Sequence, residues 1–310
     1  MSETSLQSRF KFKLFSNVAA VLLGLVTMAF VPRALGPENF GKFEFITNNF
    51  KLIFDTLTLQ VPVAFFNWVS RKGHKEETDV ASGVTLHFSL IAAGFFALFI
   101  AGTILTGSHT LLWPGVDTPY LWEAFLFTMV VFLYQLLVFL ADGKSLTVGL
   151  ERIRLLQNVL KAAILLGLVF AGLMNLHSYF FAQVAVVMLS VLLSALWLKK
   201  QRACSERALA VWTFSKSEIQ DYWLFAWHYA KPLTILMAGG FLFLYFDRWF
   251  LQLIGGSVQQ GYFGLSDRLG AIAFVFTSAM TPLLTREFAF AHEEKNTDRL
   301  IRLFDRIKLF

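Results

Sequence analysis

The sequence predicts an all-α polytopic membrane protein with about eight transmembrane helices. Of its 310 residues, 56% are hydrophobic and only 15% are charged, whereas soluble domains carry about 25% charged residues. Apolar runs long enough to cross about 30 Å of hydrocarbon recur along the whole chain. A membrane β-barrel would instead need strands of about ten alternating residues, and continuous apolar runs such as 92–105 exclude it.

The predicted helices follow these apolar runs, and turn-forming residues separate them. Pro32 and Gly36-Pro37 mark the first turn, Trp113-Pro-Gly marks the third loop, and Gly255-Gly256 marks the seventh. The first run is long for a signal peptide and lacks a small-residue cleavage site, so we expect it to remain as a helix. The predicted ranges are 14–32, 40–69, 83–106, 121–141, 154–174, 178–198, 226–254 and 259–285.

The basic residues lie on alternate sides of these helices. Twenty of the 27 Lys and Arg residues fall in the N-terminal tail, in every second loop and after the last helix, whereas the opposite loops hold only Arg33. Because cytoplasmic loops carry an excess of Lys and Arg, we expect a cytoplasmic N-terminus. The net charge of +6 therefore reports membrane orientation and does not indicate nucleic-acid binding.

A short sequence element occurs twice, at a constant offset of 220 residues. Each copy covers the end of one helix, a turn and the start of the next. Six helices separate the copies, so both run in the same direction, as in transporters built from parallel repeats. The matched positions are Gly36 and Gly256, Gly41 and Gly261, Phe43 and Phe263, Phe54 and Phe274, and Pro62 and Pro282.

The repeat divides the chain into four parts. Residues 1–198 form a complete six-helix lobe, 199–225 a cytoplasmic inter-lobe linker, and 226–285 the first two helices of a second lobe. Residues 286–310 show apolar and basic residues on opposite faces, which predicts an amphipathic helix on the cytoplasmic surface. Since the second lobe stops after two helices, we expect a partial chain.

Charged residues within the predicted spans are the main candidates for a functional site, because ionisable groups in hydrocarbon are costly and often mark transport pathways. One pair lies one helical turn apart in the second helix, and each of the last two helices carries an Asp-Arg pair in its outer half. We expect the cations to line a cavity for an anionic substrate, and the carboxylates to take part in ion coupling or ion pairs. The cations are Lys51, Arg248 and Arg268, and the carboxylates are Asp55, Asp247 and Asp267.

Structural roles remain open alternatives for these residues. Lys51 and Asp55 can form a self-neutralising pair that only lowers the cost of insertion. The two Asp-Arg pairs can hold neighbouring helices together without net charge. Lys161 is favoured to reach the cytoplasmic surface from the fifth helix. Pro62 and Pro282 are expected to kink or end the second and eighth helices near their cytoplasmic ends, as gating points or as plain bends.

Catalytic and metal-binding patterns are absent from the sequence. Its six His residues are scattered without metal-ligand spacing, and the single Cys204 excludes an intrachain disulfide framework and a Cys-based metal site. There is no phosphate-binding loop of the nucleotide-hydrolysing type. We therefore predict no enzyme, no metal and no cofactor.

Two segments carry a family resemblance. Residues 31–41, Val-Pro-Arg-Ala-Leu-Gly-Pro-Glu-Asn-Phe-Gly, resemble the junction of the first two helices in the O-antigen flippase and polysaccharide-exporter family, and residues 246–263 resemble its helix 7–8 region. That superfamily also holds multidrug-and-toxin extruders and the lipid II flippase.

The resemblance implies a two-lobed translocator in the bacterial inner membrane that works by alternating access. Its substrate would be a polyprenyl-pyrophosphate-linked oligosaccharide, bound by cationic residues between the lobes. Arg248, Arg268 and Lys51 are the best-placed candidates here, and Arg33 is a weaker one. Membrane lipids and other polysaccharide-assembly proteins would be the further partners, and no nucleic acid is implied.

Three other functions are alternatives for a chain of this kind. A cation-coupled multidrug antiporter of the same superfamily would favour carboxylates over cations in the lobes. A membrane-embedded glycan polymerase or ligase needs a large outer loop, and no outer loop here exceeds about fifteen residues. A membrane scaffold without transport activity would not explain the repeated charge inside the membrane.

Overall fold

The computed structural model describes residues 6–71, 75–203, 207, 210–294, 301 and 304. Within these ranges the regular structure consists of helices, in agreement with the predicted all-α class. Cys204 and most of the predicted amphipathic segment after residue 294 lie outside the described residues. The α-helices are α1 (Leu6–Leu35), α2 (Pro37–Leu57), α3 (Val61–Arg71), α4 (Lys75–Leu105), α5 (His109–Leu112), α6 (Thr118–Gly143), α7 (Thr147–Phe170), α8 (Leu176–Lys200), α9 (Lys216–Phe250), α10 (Gly256–Gly270) and α11 (Val275–Glu293).

The predicted membrane spans are present in the predicted order. Among the described residues, six helical stretches are long and apolar enough to cross a membrane, and α2 with α3 forms a seventh candidate. The last of the six, Lys216–Phe274, is 59 residues long, whereas one crossing needs about 20. A π-helical turn at Leu251–Gly255 and the positive φ of Gly256 divide it, so that α9 and α10 correspond to the predicted seventh helix and the start of the eighth.

The second span is broken just before Pro62, close to where a kink was predicted. α2 and α3 are bent by 63° relative to each other. The junction contains Leu59 and Gln60, whose φ angles of 49° and 57° lie in the left-handed region, which side chains rarely adopt. The Thr234 hydroxyl of α9 donates a 2.8 Å hydrogen bond to the Leu59 carbonyl. The eighth span is interrupted at Ala271–Phe274 by a 3₁₀ turn, and Pro282 lies inside α11.

Aromatic packing joins the first-half helices. Phe50 and Phe54 of α2 lie one turn apart, so both point to the same side of the helix. The Phe50 ring lies 5.0 Å from that of Phe96 on α4, and the Phe54 ring lies 4.8 Å from that of Phe132 on α6. Edge-to-face contacts of this kind add to the burial of the rings. α2 is thereby fixed against α4 and α6.

α9 begins within the predicted inter-lobe linker and packs against the first half. Ser215 forms a capping box with Glu218, which starts the helix at Lys216 rather than near residue 226. Tyr222 is buried, and its hydroxyl shares a 2.6 Å hydrogen bond with Thr85 of α4. The division of the chain into lobes at residues 198 and 225 stays a prediction.

The two copies of the sequence repeat pack directly against each other. A Cβ atom added at Gly41 would overlap the Ser257 carbonyl and lie 2.8 Å from the Gly261 nitrogen. One added at Gly264 would lie 2.7 Å from Glu44 Cγ. Gly41 and Gly261, and likewise Glu44 and Gly264, are equivalent positions at the offset of 220. We call this contact the seam; it brings α2 and α10 together in parallel, because Gly41 lies beside Gly261 and Glu44 beside Gly264.

A buried ionic network lies at the ends of the membrane spans opposite the seam. Lys13 of α1 donates to Asp142 at the end of α6 over 2.7 Å. Arg9 donates to Glu287 of α11 over 2.8 Å, which ties the first helix to the last. Six charged residues of the network are buried: Arg9, Lys13, Asp142, Glu151, Arg286 and Glu287.

Candidate functional site

A cavity of about 540 Å³ lies between α2, α3, α6, α7, α8, α9 and α10. Aromatic side chains of α2 and α6 form part of its wall, including Phe43, Phe54 and Phe132. The charged residues in its lining are Glu44, Lys51, Asp55, Lys161, Asp267 and Arg268. Four of the six predicted site residues therefore line one cavity: Lys51, Asp55, Asp267 and Arg268.

Arg268 of α10 forms an ion pair with Glu44 of α2 at the edge of the seam. The Glu44 side chain is only 5% exposed, whereas that of Arg268 is 37% exposed. The Arg268 guanidinium also lies 5.4 Å from the centre of the Phe40 ring, a cation–π contact. The pair forms because the parallel seam places position 44 beside positions 264 and 268. Glu44 therefore holds Arg268 across the contact between the two repeats.

Arg248 of α9 pairs with Asp267 of α10 over 3.0 Å. The Asp-Arg pairs of the last two predicted helices thus do meet, as their antiparallel arrangement suggested. Arg248 also lies 4.9 Å from the centre of the Phe263 ring, and its carbonyl accepts a hydrogen bond from Gln260. Its side chain is 11% exposed and lines neither cavity described here. Asp247 is exposed and also lines neither of them.

Lys51 and Asp55 form the ion pair expected from their spacing along α2. Their side chains are 62% and 30% exposed, and both line the large cavity. The pair is thus self-neutralising, as the structural alternative requires, and it also faces the space in which a substrate would lie.

Lys161 lines the large cavity, whereas the sequence favoured a position at the cytoplasmic surface. α7 begins at Thr147, seven residues before the predicted start, and Lys161 lies 14 residues, or about 21 Å, along the helix. Among the described residues, no carboxylate lies within ion-pair distance of Lys161, in contrast to Lys51, Arg248 and Arg268. Lys161 is therefore a cation of the site that sequence reasoning missed.

A second cavity, of about 260 Å³, opens between α1, α2, α7, α8 and α10. Its wall on α1 includes Val21, Leu25, Met28 and Val31 together with Thr27. Three polar residues line both this cavity and the larger one: Lys161, Gln183 and Arg268. The site consequently consists of two cavities, and Lys161 and Arg268 lie where they join.

Glu44 and Gln183 were also missed by sequence reasoning. Glu44 lies near the predicted start of the second helix, where an acidic residue is unremarkable. The repeat contained a usable signal, because position 44 falls opposite a glycine at position 264. Gln183 had no such signal, since a single polar residue in an apolar helix most often forms an ordinary interhelical hydrogen bond.

The geometry agrees with a family assignment. The sequence model of a family described as polysaccharide biosynthesis protein matches residues 11–286. The chain belongs to the polysaccharide biosynthesis protein family. That match covers α1 to α11 almost completely and includes both copies of the repeat. Among curated proteins, none matches the chain significantly.

Solved transporter structures share the fold of this family member at low sequence identity. A mutant of the Vibrio cholerae MATE transporter VcmN has a TM-score of 0.65 at 17% identity and covers 96% of the chain. A MOP superfamily transporter from Pyrococcus furiosus has a TM-score of 0.68 at 16% identity and covers 97%. An outward-facing multidrug resistance MATE transporter has a TM-score of 0.68 at 15% identity and covers 97%. The chain spans only 65% to 68% of the solved chains that it matches.

Proposed function

We propose that this multi-pass membrane protein moves a polyprenyl-pyrophosphate-linked oligosaccharide across the bacterial inner membrane by alternating access. The observation that carries the proposal is the position of Lys161 and Arg268, which line both cavities. The substrate carries an anionic pyrophosphate between a hydrocarbon chain and a polar glycan, so it would place its anion where the two cavities join.

Charge balance favours an anion at this junction. Lys51, Arg248 and Arg268 each have a carboxylate partner, so these three pairs are neutral. Lys161 adds a positive charge that no carboxylate of the described residues neutralises within ion-pair distance. A charge buried without a partner is costly, and an anionic ligand removes that cost. We therefore assign the pyrophosphate to Lys161 and Arg268.

The other predicted site residues have more distant roles in this proposal. Lys51 and Asp55 face the large cavity, where sugar hydroxyls and acids would lie. Arg248 positions Asp267, and Asp267 is the carboxylate best placed for a coupling proton or ion because its side chain is 60% exposed. The cytoplasmic N-terminus, taken from the basic residues, would present the site to substrate made inside the cell.

The experiment is complementation of a deletion strain with single variants, followed by the location of lipid-linked glycan in the two leaflets. We expect Lys161→Gln to leave the glycan in the cytoplasmic leaflet and Lys161→Arg to restore export at least in part. Lys42→Gln is the matched control, because Lys42 pairs with Glu38 outside both cavities. Normal export by Lys161→Gln at normal expression would contradict the proposal.

The rival function is a cation-coupled multidrug antiporter. Its strongest support is the shared fold of the solved MATE transporters. Against it, all three described carboxylates that line the large cavity are held in ion pairs, so none of the three is free to bind a cation. Drug resistance that depends on Asp267 but not on Lys161 would favour the rival.

A further inference from the structure

Glu44 performs two functions at one place. Its carboxylate pairs with Arg268, and its Cβ and Cγ fill the space above Gly264 in the seam. Asn48 donates to its carbonyl over 2.7 Å, which fixes the backbone at this turn of α2. Any movement of the Glu44 side chain therefore affects both the anion site and the contact between the two repeats.

We propose that Glu44 is an internal anion that occupies the ligand's place on Arg268, and that a ligand with two or more negative charges displaces it and so releases the seam. The inference rests on the proposed function, because it assigns a specificity-determining role within the same site. It goes further by stating which ligands can open the protein and which residue senses them.

The charge count explains the selectivity. Lys161, Arg268 and Glu44 together carry one net positive charge. A monoanion neutralises that charge while Glu44 stays on Arg268. A dianion or trianion leaves excess negative charge in a low-dielectric site, where like charges repel strongly. Glu44 is the anion of the cluster whose side chain can rotate away, so the excess charge drives it from Arg268.

The packing explains the coupling. The Glu44 side chain lies in the groove that Gly264 leaves open, with its Cγ 2.7 Å from the position of a Cβ there. This side chain is only 5% exposed, and its carboxylate forms the ion pair that joins α2 to α10 at the edge of the seam. Its release into the large cavity that it lines consequently removes this ion pair and weakens the contact between the two helices. Close-packed contacts respond by moving between discrete arrangements rather than by gradual deformation.

The test measures the distance between the first turns of α2 and α10. Glu38→Cys and Gln259→Cys place spin labels at two exposed positions, in a background in which the native Cys204 is replaced by Ser. Double electron–electron resonance of the full chain in lipid nanodiscs then reports the separation. Inorganic pyrophosphate serves as the polyanion and acetate as the monoanion. We expect pyrophosphate, but not acetate, to lengthen the distance.

Glu44→Gln removes the internal anion. We expect the labels in this variant to show the long distance without any ligand. In a binding titration, we expect its discrimination between pyrophosphate and acetate to fall at least tenfold. An unchanged short distance in Glu44→Gln, with or without pyrophosphate, would overturn the proposal. If Glu44→Gln does not fold, Glu44→Asp keeps the charge but shortens the reach to Arg268. We expect Glu44→Asp to raise the fraction of molecules with the long distance between the two labels. A distribution that contains only the short distance would contradict the proposal.

The same samples separate this inference from the proposed function. Lys161→Gln should abolish pyrophosphate binding if the junction is the anion site. If pyrophosphate binding depends on Lys161 but the distance between the labels on α2 and α10 does not change, the role of Glu44 is excluded. The proposed function would then remain intact. A wild-type protein that binds no pyrophosphate would remove the anion site, whereas the ligand-free distance of Glu44→Gln would still decide the role of Glu44.

Discussion

The seam and the ionic network join the two repeats by opposite means. At the seam, Gly41 and Gly261 let two backbones meet, and one ion pair lies at the edge of the contact. In the ionic network, Arg9 and Lys13 of α1 are held by buried carboxylates of α6 and α11. Separation of buried ion pairs leaves each charge without its partner; the seam has one ion pair, between Glu44 and Arg268, whereas Arg9 and Lys13 form three in the network. The seam is therefore the contact that we expect to open more easily.

The largest expected effect comes from breaking the ionic network. Asp142→Asn leaves Lys13 buried without its 2.7 Å partner, and we expect it to lower the free energy of unfolding by about 3–5 kcal/mol. Chemical unfolding of the purified protein in detergent measures this. Asp117→Asn is the matched control, because Asp117 is exposed at the other end of the same helix and should change stability by less than about 0.5 kcal/mol. An equal loss of unfolding free energy in both variants would show that Asp142 in the buried network contributes no more to stability than the exposed Asp117.

Replacing both partners of this ion pair tests whether the unpaired buried charge causes the loss of stability. The double variant Lys13→Met with Asp142→Leu removes the pair without leaving a buried charge, so we expect it to be more stable than Asp142→Asn alone. The same unfolding measurement completes a double-mutant cycle. A double variant that is less stable than the single one would mean that the charges are also needed for contacts elsewhere in the network.

A methyl group in the seam should have a smaller effect. We expect Gly41→Ala to cost about 1–3 kcal/mol through overpacking, because its Cβ would overlap the Ser257 carbonyl. Gly94→Ala is the control: nothing lies within 4 Å of its Cβ position, so the helix should gain up to about 1 kcal/mol. Thermal unfolding compares the two. Stabilisation by both substitutions would show that α2 and α10 are not in contact in the membrane.

The smallest effect is expected at the exposed end of α2. Glu38 pairs with Lys42 over 3.0 Å, but the Glu38 side chain is 64% exposed. We expect Glu38→Gln to change the free energy of unfolding by no more than about 0.5 kcal/mol. A larger loss in the same unfolding assay would show that the first turn of α2 contributes to the stability of the seam. The spin label would then have to be moved from position 38 to another site.

Hydropathy and loop charge were sufficient to predict the order of the spans, because the bilayer imposes length and apolarity on each helix separately. They could not predict that α2 and α10 pack together, since helix–helix contacts depend on the matching of small residues far apart in the chain. The position of Lys161 was missed because the pattern along one helix does not show which other helices enclose its side chain. Glu44 was missed because its partner Arg268 lies 224 residues away in the sequence.

The equivalence of Glu44 and Gly264 has a consequence for how alike the two repeats can be. Where two identical helices meet on a two-fold axis, every side chain near the axis faces its own copy. Two identical repeats would therefore bring a pair of carboxylates together at this position, with repulsion that hydrocarbon surroundings do not screen. A glycine in one copy avoids that repulsion and also makes room for the remaining carboxylate. The two repeats therefore differ at this position, although both carry a glycine at the neighbouring contact of Gly41 with Gly261.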